Sequence, residues 1–370
     1  MTKTPFTLHM FHWLSLHFHT LIFLHFLLLL ILQKTQMASL PHVVEDLGGV
    51  IQIFSDGSIR RHKLNDFIIM SVVKADNSVT WKDYCYNKLH DLYLRIYKPI
   101  PTTTTKLPVI YYLHGGGFCV GAFERAKYHN FCLRVSEALH VIVVAPNLRL
   151  APEHRLPAAM DDALVALKWL QELATRTNPN GGQTFDDMWV GDHDVVDGFD
   201  FDRFCIFGDS SGGNIAHHLA VRLGPGSLEL TPVKVRGYVM LTPFFGGMER
   251  TKSEEGLPEK ALNVDVLDTF WRMALPVGKT LDHPFANPFG PESPSLELVK
   301  LDPILLVVGG DEIMKDRVKL YAEELKKLQK TIHYVEIEGK QHGFLTNEPY
   351  SDVSDSVFNL IKDFVFKHFG

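Results

Sequence analysis

Acidic residues are missing from the first 36 positions of this 370-residue chain, which carry only two cations, Lys3 and Lys34. Long apolar runs are scarce as well: Leu21 to Leu32, interrupted by His25, is the longest in this segment. A bilayer span needs about 20 apolar residues, so this stretch is too short, and extending it back to Met10 admits His12, Ser15, His17, His19 and Thr20. Lys3 ahead of an apolar region fits a secretory signal, yet no A-x-A-like cleavage site follows. Cysteine is sparse too. The four thiols, at 85, 119, 132 and 205, show no C-x-x-C pair and no metal-ligand spacing, which fits a reducing compartment. No Lys/Arg cluster marks a nucleic-acid surface, and the net charge is −6. Internal repeats are absent. Asp192-His193-Asp194 has metal-binding residue types, but it lies in a strongly polar stretch and reads as solvated surface.

What is present is an alternation of apolar strands with helical stretches. Leu92, Leu94 and Ile96 mark an early strand. Further strands are expected at about 108–113, 141–145, 203–207, 235–241, 304–308 and 332–337. Strands separated by helices imply right-handed crossovers and a mostly parallel sheet with helices on both faces. Pro157 to Ala174 opens on proline and carries Met160, Leu164, Leu167 and Leu170 on one stripe, so it reads as a covering helix. Arg176 to Phe199, rich in Asn, Gly and Asp, reads as a surface loop.

Gly208-Asp-Ser-Ser-Gly212 lies between the apolar strand Arg203 to Phe207 and a helix with Ile215, Leu219 and Leu223 at helical spacing. That context suits a nucleophile elbow, with Ser210 on a sharp turn and two glycines that let strand and helix approach. About a hundred residues earlier, the strand Leu107 to Leu113 runs into His114-Gly-Gly-Gly-Phe118. Such a loop brings backbone N–H groups to a developing oxyanion, each worth about 3 to 4 kcal/mol. The expected donors are the amides of Gly115, Gly116 and Ser211, and the two motifs together imply an α/β-hydrolase fold.

A base and its acid should follow the serine in the order acid, then histidine. The strand Ile304 to Val308 ends in Gly309-Gly-Asp-Glu-Ile-Met-Lys-Asp316, so three acids stand at or just beyond a strand's C-terminal end, where catalytic groups gather in α/β sheets. After the strand Ile332 to Ile337 comes Glu338-Gly-Lys-Gln-His-Gly-Phe344. Of nineteen histidines, His342 combines the chain order with a glycine-flanked loop. His217 and His218 fall in the elbow helix, His333 in a strand, and His368 at the terminus.

From about Met37 onward the chain resembles the plant class-I carboxylesterases of the hormone-sensitive-lipase type. The motifs are His114-Gly-Gly-Gly-Phe118, Arg149-Leu-Ala-Pro-Glu-His-Arg-Leu-Pro-Ala-Ala159, Gly208-Asp-Ser-Ser-Gly-Gly-Asn-Ile-Ala-His217 and Gly339-Lys-Gln-His-Gly-Phe344. Pro243-Phe-Phe-Gly-Gly247, the run around Glu249-Arg-Thr and Asn287-Pro-Phe-Gly290 are most similar to the strigolactone-degrading branch. The resemblance implies D-x-x-x-D around the triad acid. With Asp316 as the second member, Glu312 takes the catalytic position, a departure that the strigolactone-degrading branch shares. Asp311, pointing to the opposite face, is then expected to cap the helix beginning near Met314. Gibberellin receptors and dehydratases share this fold, the receptors without the triad histidine, so a ligand-sensing or dehydratase member with little esterase turnover is the alternative reading.

Because the resemblance starts at Met37, residues 1–36 read as an apolar extension upstream of the true start, with a signal or anchor as the alternative. Residues 37–370 then form the hydrolase domain, 334 residues with 43 acids against 35 bases, long for one sheet but within range if it carries a cap. A small helical cap is expected from about 37–67 and 246–284, the second stretch carrying Val266, Phe270, Trp271 and Leu275. Phe118, Phe244 and Phe245 are the expected pocket walls for a lipophilic ester or lactone. The chemistry is two-step acyl transfer by Ser210, His342 and Glu312. It calls for a small-molecule substrate and no metal or organic cofactor, and it allows a homodimer. The expected location is the cytoplasm, with the secretory pathway or a membrane as alternatives if the leading segment is kept.

Overall fold

All seven residues of Leu107–Leu113 are buried, which a strand tolerates only when both faces of its sheet are covered. Successive side chains point to opposite faces. Ile110 and Tyr112 join one apolar cluster with Phe131, Cys132, Val135, Phe358 and Ile361. Tyr111 lies on the other face, where its hydroxyl donates to the Ala163 carbonyl at 2.7 Å. The structure, a computed structural model, describes residues 17–30, 40–62, 77–100, 106–176, 198–256 and 262–369. Positions 177–197, which include Asp192-His193-Asp194 and most of the expected polar loop, lie outside these, as do 1–16 and 31–39 of the leading region. The chain divides into two compact units, residues 1–64 and 65–370.

In the first unit, residues 17–30 are helical and its side chains are exposed, Leu21 and Phe23 among them. Among the described residues, no helix is long and apolar enough to cross a membrane. Strands β1 (Val43–Leu47), β2 (Ile51–Phe54) and β3 (Ile59–Arg61) form an antiparallel meander. Within the described part, 40–62, this corrects the expected helical character of the 37–67 stretch; 37–39 and 63–67 lie outside the described residues. The physical cause is turn chemistry: Asp46 accepts from the Gly49 amide at 2.7 Å, Asp56 accepts from Ser58 at 2.9 Å, and Gly48, Gly49 and Gly57 all have positive φ. Such turns every few residues leave no room for a helix.

The second unit is an eight-stranded sheet of β4 (Val79–Asn87), β5 (Leu92–Pro99), β6 (Leu107–Leu113), β7 (Ile142–Pro146), β8 (Phe199–Asp209), β9 (Val235–Leu241), β10 (Ile304–Gly309) and β11 (Ile332–Ile337). Their spatial order is β11-β10-β9-β8-β6-β7-β5-β4. The six strands from β11 to β7 run parallel, while β5 is antiparallel to both β7 and β4. Sequence reading passes over β4, because Trp81, Lys82 and Asp83 are exposed on this edge strand and blur its alternation. The helices are α1 (Ala126–Leu139), α2 (Ala158–Arg176), α3 (Ser211–Leu223), α4 (Lys252–Glu255), α5 (Val264–Ala274), α6 (Lys315–Lys327), α7 (Phe344–Asn347) and α8 (Asp352–His368). One face is covered by α1 and α8, joined by Phe131 against Phe358 and by the Arg134–Asp355 ion pair. On the opposite face lies α2. Since β6, β8, β9, β10 and β11 are parallel, the loops that follow them emerge on one edge of the sheet.

Candidate active site

Strand β8 ends at Asp209 and α3 begins at Ser211, so Ser210 stands alone on the turn with φ 54° and ψ −115°. A side chain is strained there, and the surroundings must hold it. Main-chain bonds do so: the Ser210 amide donates to the Leu241 carbonyl at 2.8 Å, and the Phe244 amide donates to the Ser210 carbonyl at 2.8 Å. The two motif glycines are steric necessities. A Cβ on Gly208 would lie 2.2 Å from the Gly212 carbonyl oxygen, and one on Gly212 would lie 2.0 Å from that of Leu113.

The loop after β6 lies against this turn. A Cβ on Gly115 would sit 3.1 Å from the Ser210 Cβ, and Gly116, at φ +118°, would place one 1.9 Å from the Val120 carbonyl. Among the described residues, the amides of Gly115, Gly116 and Ser211 donate to no protein acceptor. Three unspent donors beside a serine are what an oxyanion needs. His114 is buried, which pushes its pKa down and keeps it neutral, and its Nδ1 bonds the Gly115 carbonyl at 2.8 Å.

Across from the serine, Glu312 is fully buried and its Oε1 faces His342 Nδ1 at 3.4 Å. That is long for a charge-assisted bond, as such contacts commonly are in ligand-free sites. The other oxygen, Oε2, accepts from the Thr242 hydroxyl at 2.7 Å and from the Gly309 amide at 3.1 Å. Burial disfavours the imidazolium of His342, but the Glu312 carboxylate, as acceptor and as charge, outweighs it with help from Asp209. The His342 pKa is therefore raised above its usual 6.5 although Lys127 opposes it.

Asp311 is exposed, and the expectation that it caps the following helix needs correction. Met314, three residues beyond Asp311, occupies the N-cap of α6 and no side chain bonds there; the Asp311 amide is instead tied to the Lys340 carbonyl at 3.0 Å. Asp316 has a different task. Its carboxylate accepts from the Ser253 amide at 2.9 Å, and the Ser253 hydroxyl donates to the Ile313 carbonyl at 2.7 Å. These bonds fasten α4 to the turn that carries Glu312.

The expected pocket aromatics are all buried. Phe118 lies 5.5 Å from Trp271, and Phe244 stacks on Trp271 at 4.3 Å, so both bear the weight of α5. Phe245 has different neighbours. It packs on Tyr321 at 4.6 Å and lines a cleft of about 640 Å³ with Gly247, Glu249, Asn287, Phe289 and Arg317, which contains none of Ser210, Glu312 and His342. Phe270 lies against the oxyanion loop: a Cβ on Gly117 would lie 2.3 Å from its ring.

Sequence reading missed two side chains that organise the site. Arg155 donates to the Arg272 and Leu275 carbonyls at 2.6 and 2.7 Å, holding the C-terminal end of α5 where a cation is favoured. Its neighbours Ala151 and Leu156 bond the Phe118 and Ala274 carbonyls, so the Arg149–Ala159 motif braces loop and cap together. Thr242 is the other, and nothing in the sequence beyond its place before Pro243 singles it out.

Comparison with known proteins agrees with this architecture. A sequence model of the alpha/beta hydrolase fold matches residues 110–346, and the chain belongs to that family. Carboxylesterase 20 of Arabidopsis thaliana is 35% identical over 326 residues, 84% of this chain and 93% of the relative. The 2-hydroxyisoflavanone dehydratase of Glycyrrhiza echinata is 30% identical over 90% of this chain and 99% of its own length. Among solved structures, an esterase of Pyrobaculum calidifontis superposes with a TM-score of 0.61 at 25% identity, covering 77% of this chain and 84% of the esterase. Within the family this chain is a plant class-I carboxylesterase, a carboxylic ester hydrolase.

Proposed function

We propose that Ser210, His342 and Glu312 act as one triad that hydrolyses a lipophilic ester or lactone, a strigolactone in particular. The observation that carries the reading is convergence. A strained serine, a histidine facing a buried carboxylate and three unspent amides stand on loops leaving the same edge of one sheet. His342 takes the Ser210 proton and Oγ attacks the carbonyl carbon. The amides of Gly115, Gly116 and Ser211 hold the resulting oxyanion. Glu312 fixes the imidazole tautomer and stabilises its cation, and water then releases the acyl group through the same histidine. Phe118 and Phe244, with Phe270 beside the oxyanion loop, form the apolar side of the pocket. What supports a strigolactone is the likeness of the segments at 243–251 and 287–290 to the strigolactone-degrading branch.

Incubating the full chain with a strigolactone, and separately with a short p-nitrophenyl ester, tests this. Mass spectrometry should find the butenolide ring released as a free product, with many turnovers per chain. Retained ligand with at most about one product per chain would favour a sensing protein. A product lighter than its substrate by one water would favour a dehydratase.

A further inference from the structure

We infer that the Thr242 hydroxyl is a positioning group for the reaction, locking the Glu312 carboxylate in the orientation that presents Oε1 to His342. The inference rests on the triad reading above. A carboxylate has two oxygens, and whichever faces the histidine is set by what holds the other. Here Oε2 is taken by the Thr242 hydroxyl at 2.7 Å and by the Gly309 amide at 3.1 Å. Of these donors the hydroxyl is the closer, and it is the one a mutation can delete.

The backbone gives a second, independent reason. Thr242 sits at φ 41°, a left-handed conformation that is a genuine outlier for a β-branched residue. Such strain persists only where neighbours impose it. The neighbours are those of the serine: Leu241 accepts from the Ser210 amide, Phe244 donates to the Ser210 carbonyl, and the Thr242 amide itself donates to Val307 at 2.9 Å. A four-residue stretch thus ends β9 beneath the nucleophile and turns its threonine toward the acid. Thr242 fixes the spacing between the two halves of the site, which come from segments a hundred residues apart.

Replacing Thr242 by valine keeps shape and branching and deletes the donor. In the full chain, assayed on a short p-nitrophenyl ester, T242V should lower kcat about 10- to 100-fold with KM nearly unchanged, the range for a lost hydrogen bond to a charged group. T242S should recover most of the activity. The acid limb of kcat/KM should move to lower pH in T242V, because His342 loses an oriented Glu312 while Asp209 and Lys127, the other charges acting on it, stay in place. Should T242V fold poorly, T242G serves instead, since glycine accepts the positive φ without strain and also lacks the hydroxyl. Parent-like kcat in folded T242V or T242G, or T242S as damaged as T242V, overturns the inference. S210A and E312Q run alongside separate the two levels. If S210A collapses and E312Q falls well below the parent while T242V stays parent-like, only the role of Thr242 fails; if S210A or E312Q stays parent-like, the triad reading fails first.

Discussion

Main chain holds Ser210, through amide and carbonyl bonds to Leu241 and Phe244 and through glycines whose missing Cβ atoms let three segments touch. Side chains hold His342, through Glu312 and the Thr242 hydroxyl behind it. Backbone construction demands particular residues at fixed spacing, and a Cβ added at Gly208, Gly212 or Gly116 meets a carbonyl. Side-chain construction spreads over the ends of β9, β10 and β11, and removing one link leaves the others standing. The serine half should therefore fail outright when altered, and the acid–base half should fail by degrees.

The largest effects are expected on the serine side. Ser210→Ala should lower kcat roughly ten-thousand-fold or more, since triad members act as a unit, while the melting temperature stays near the parent's. Gly212→Ala should cost both activity and stability. Its Cβ would meet the Leu113 carbonyl oxygen at 2.0 Å, and relief requires moving strand or helix, at about 3 kcal/mol. Calorimetry should show a Tm lower by roughly 5 to 10 °C. An alanine enzyme that melts and turns over like the parent would mean that the elbow is not rigid, and the contrast between the halves would disappear.

On the acid–base side a graded, pH-dependent effect is expected. Catalysis needs neutral His342, and the pKa of that group is raised above 6.5 by Glu312. Activity should accordingly fall as pH drops through a midpoint above 6.5. Glu312→Gln removes the negative charge and leaves burial and Lys127, which favour the neutral ring, opposed by Asp209. The kcat/KM midpoint should then move to lower pH and the plateau should fall. An unchanged midpoint would show that another group governs the acid limb.

The same contrast decides what could be read from the sequence. Gly208, Gly212 and Gly115 to Gly117 were legible because each steric demand is met by one residue type at a fixed offset. Parallel strands were legible from continuous apolar runs such as Ile304 to Val308. Edge strand β4 was not, since exposed polar and aromatic side chains hide its period, and the β1–β3 meander was mistaken for part of a helical cap because its strands are only three to five residues long. Thr242 and Arg155 could not be recognised, because each acts on a residue at least 70 positions away: Thr242 on Glu312, Arg155 on Arg272 and Leu275. The surroundings of Phe245 were hidden for a related reason. Its neighbour Phe244 packs under α5 while it packs on Tyr321 of α6, and adjacency in sequence conceals that divergence.

The smallest effect is expected one residue from a large one. Asp311 and Glu312 are adjacent acids on the same turn, and chain order alone allows either to serve His342. Their surroundings differ: the Glu312 side chain is 0% exposed with both oxygens bonded, whereas Asp311 is exposed and its amide is what the structure uses. A carboxylate in water is screened and free to rotate, so it can neither fix a tautomer nor exert much field on a ring. Asp311→Ala should leave kcat within about twofold and the midpoint unmoved, because an exposed charge of this kind is worth little. Measuring Asp311→Ala and Glu312→Ala on one substrate gives the ranking directly. A larger loss for Asp311 would move the acid by one position, and the carboxylate that Thr242 holds would then not be the one that serves His342.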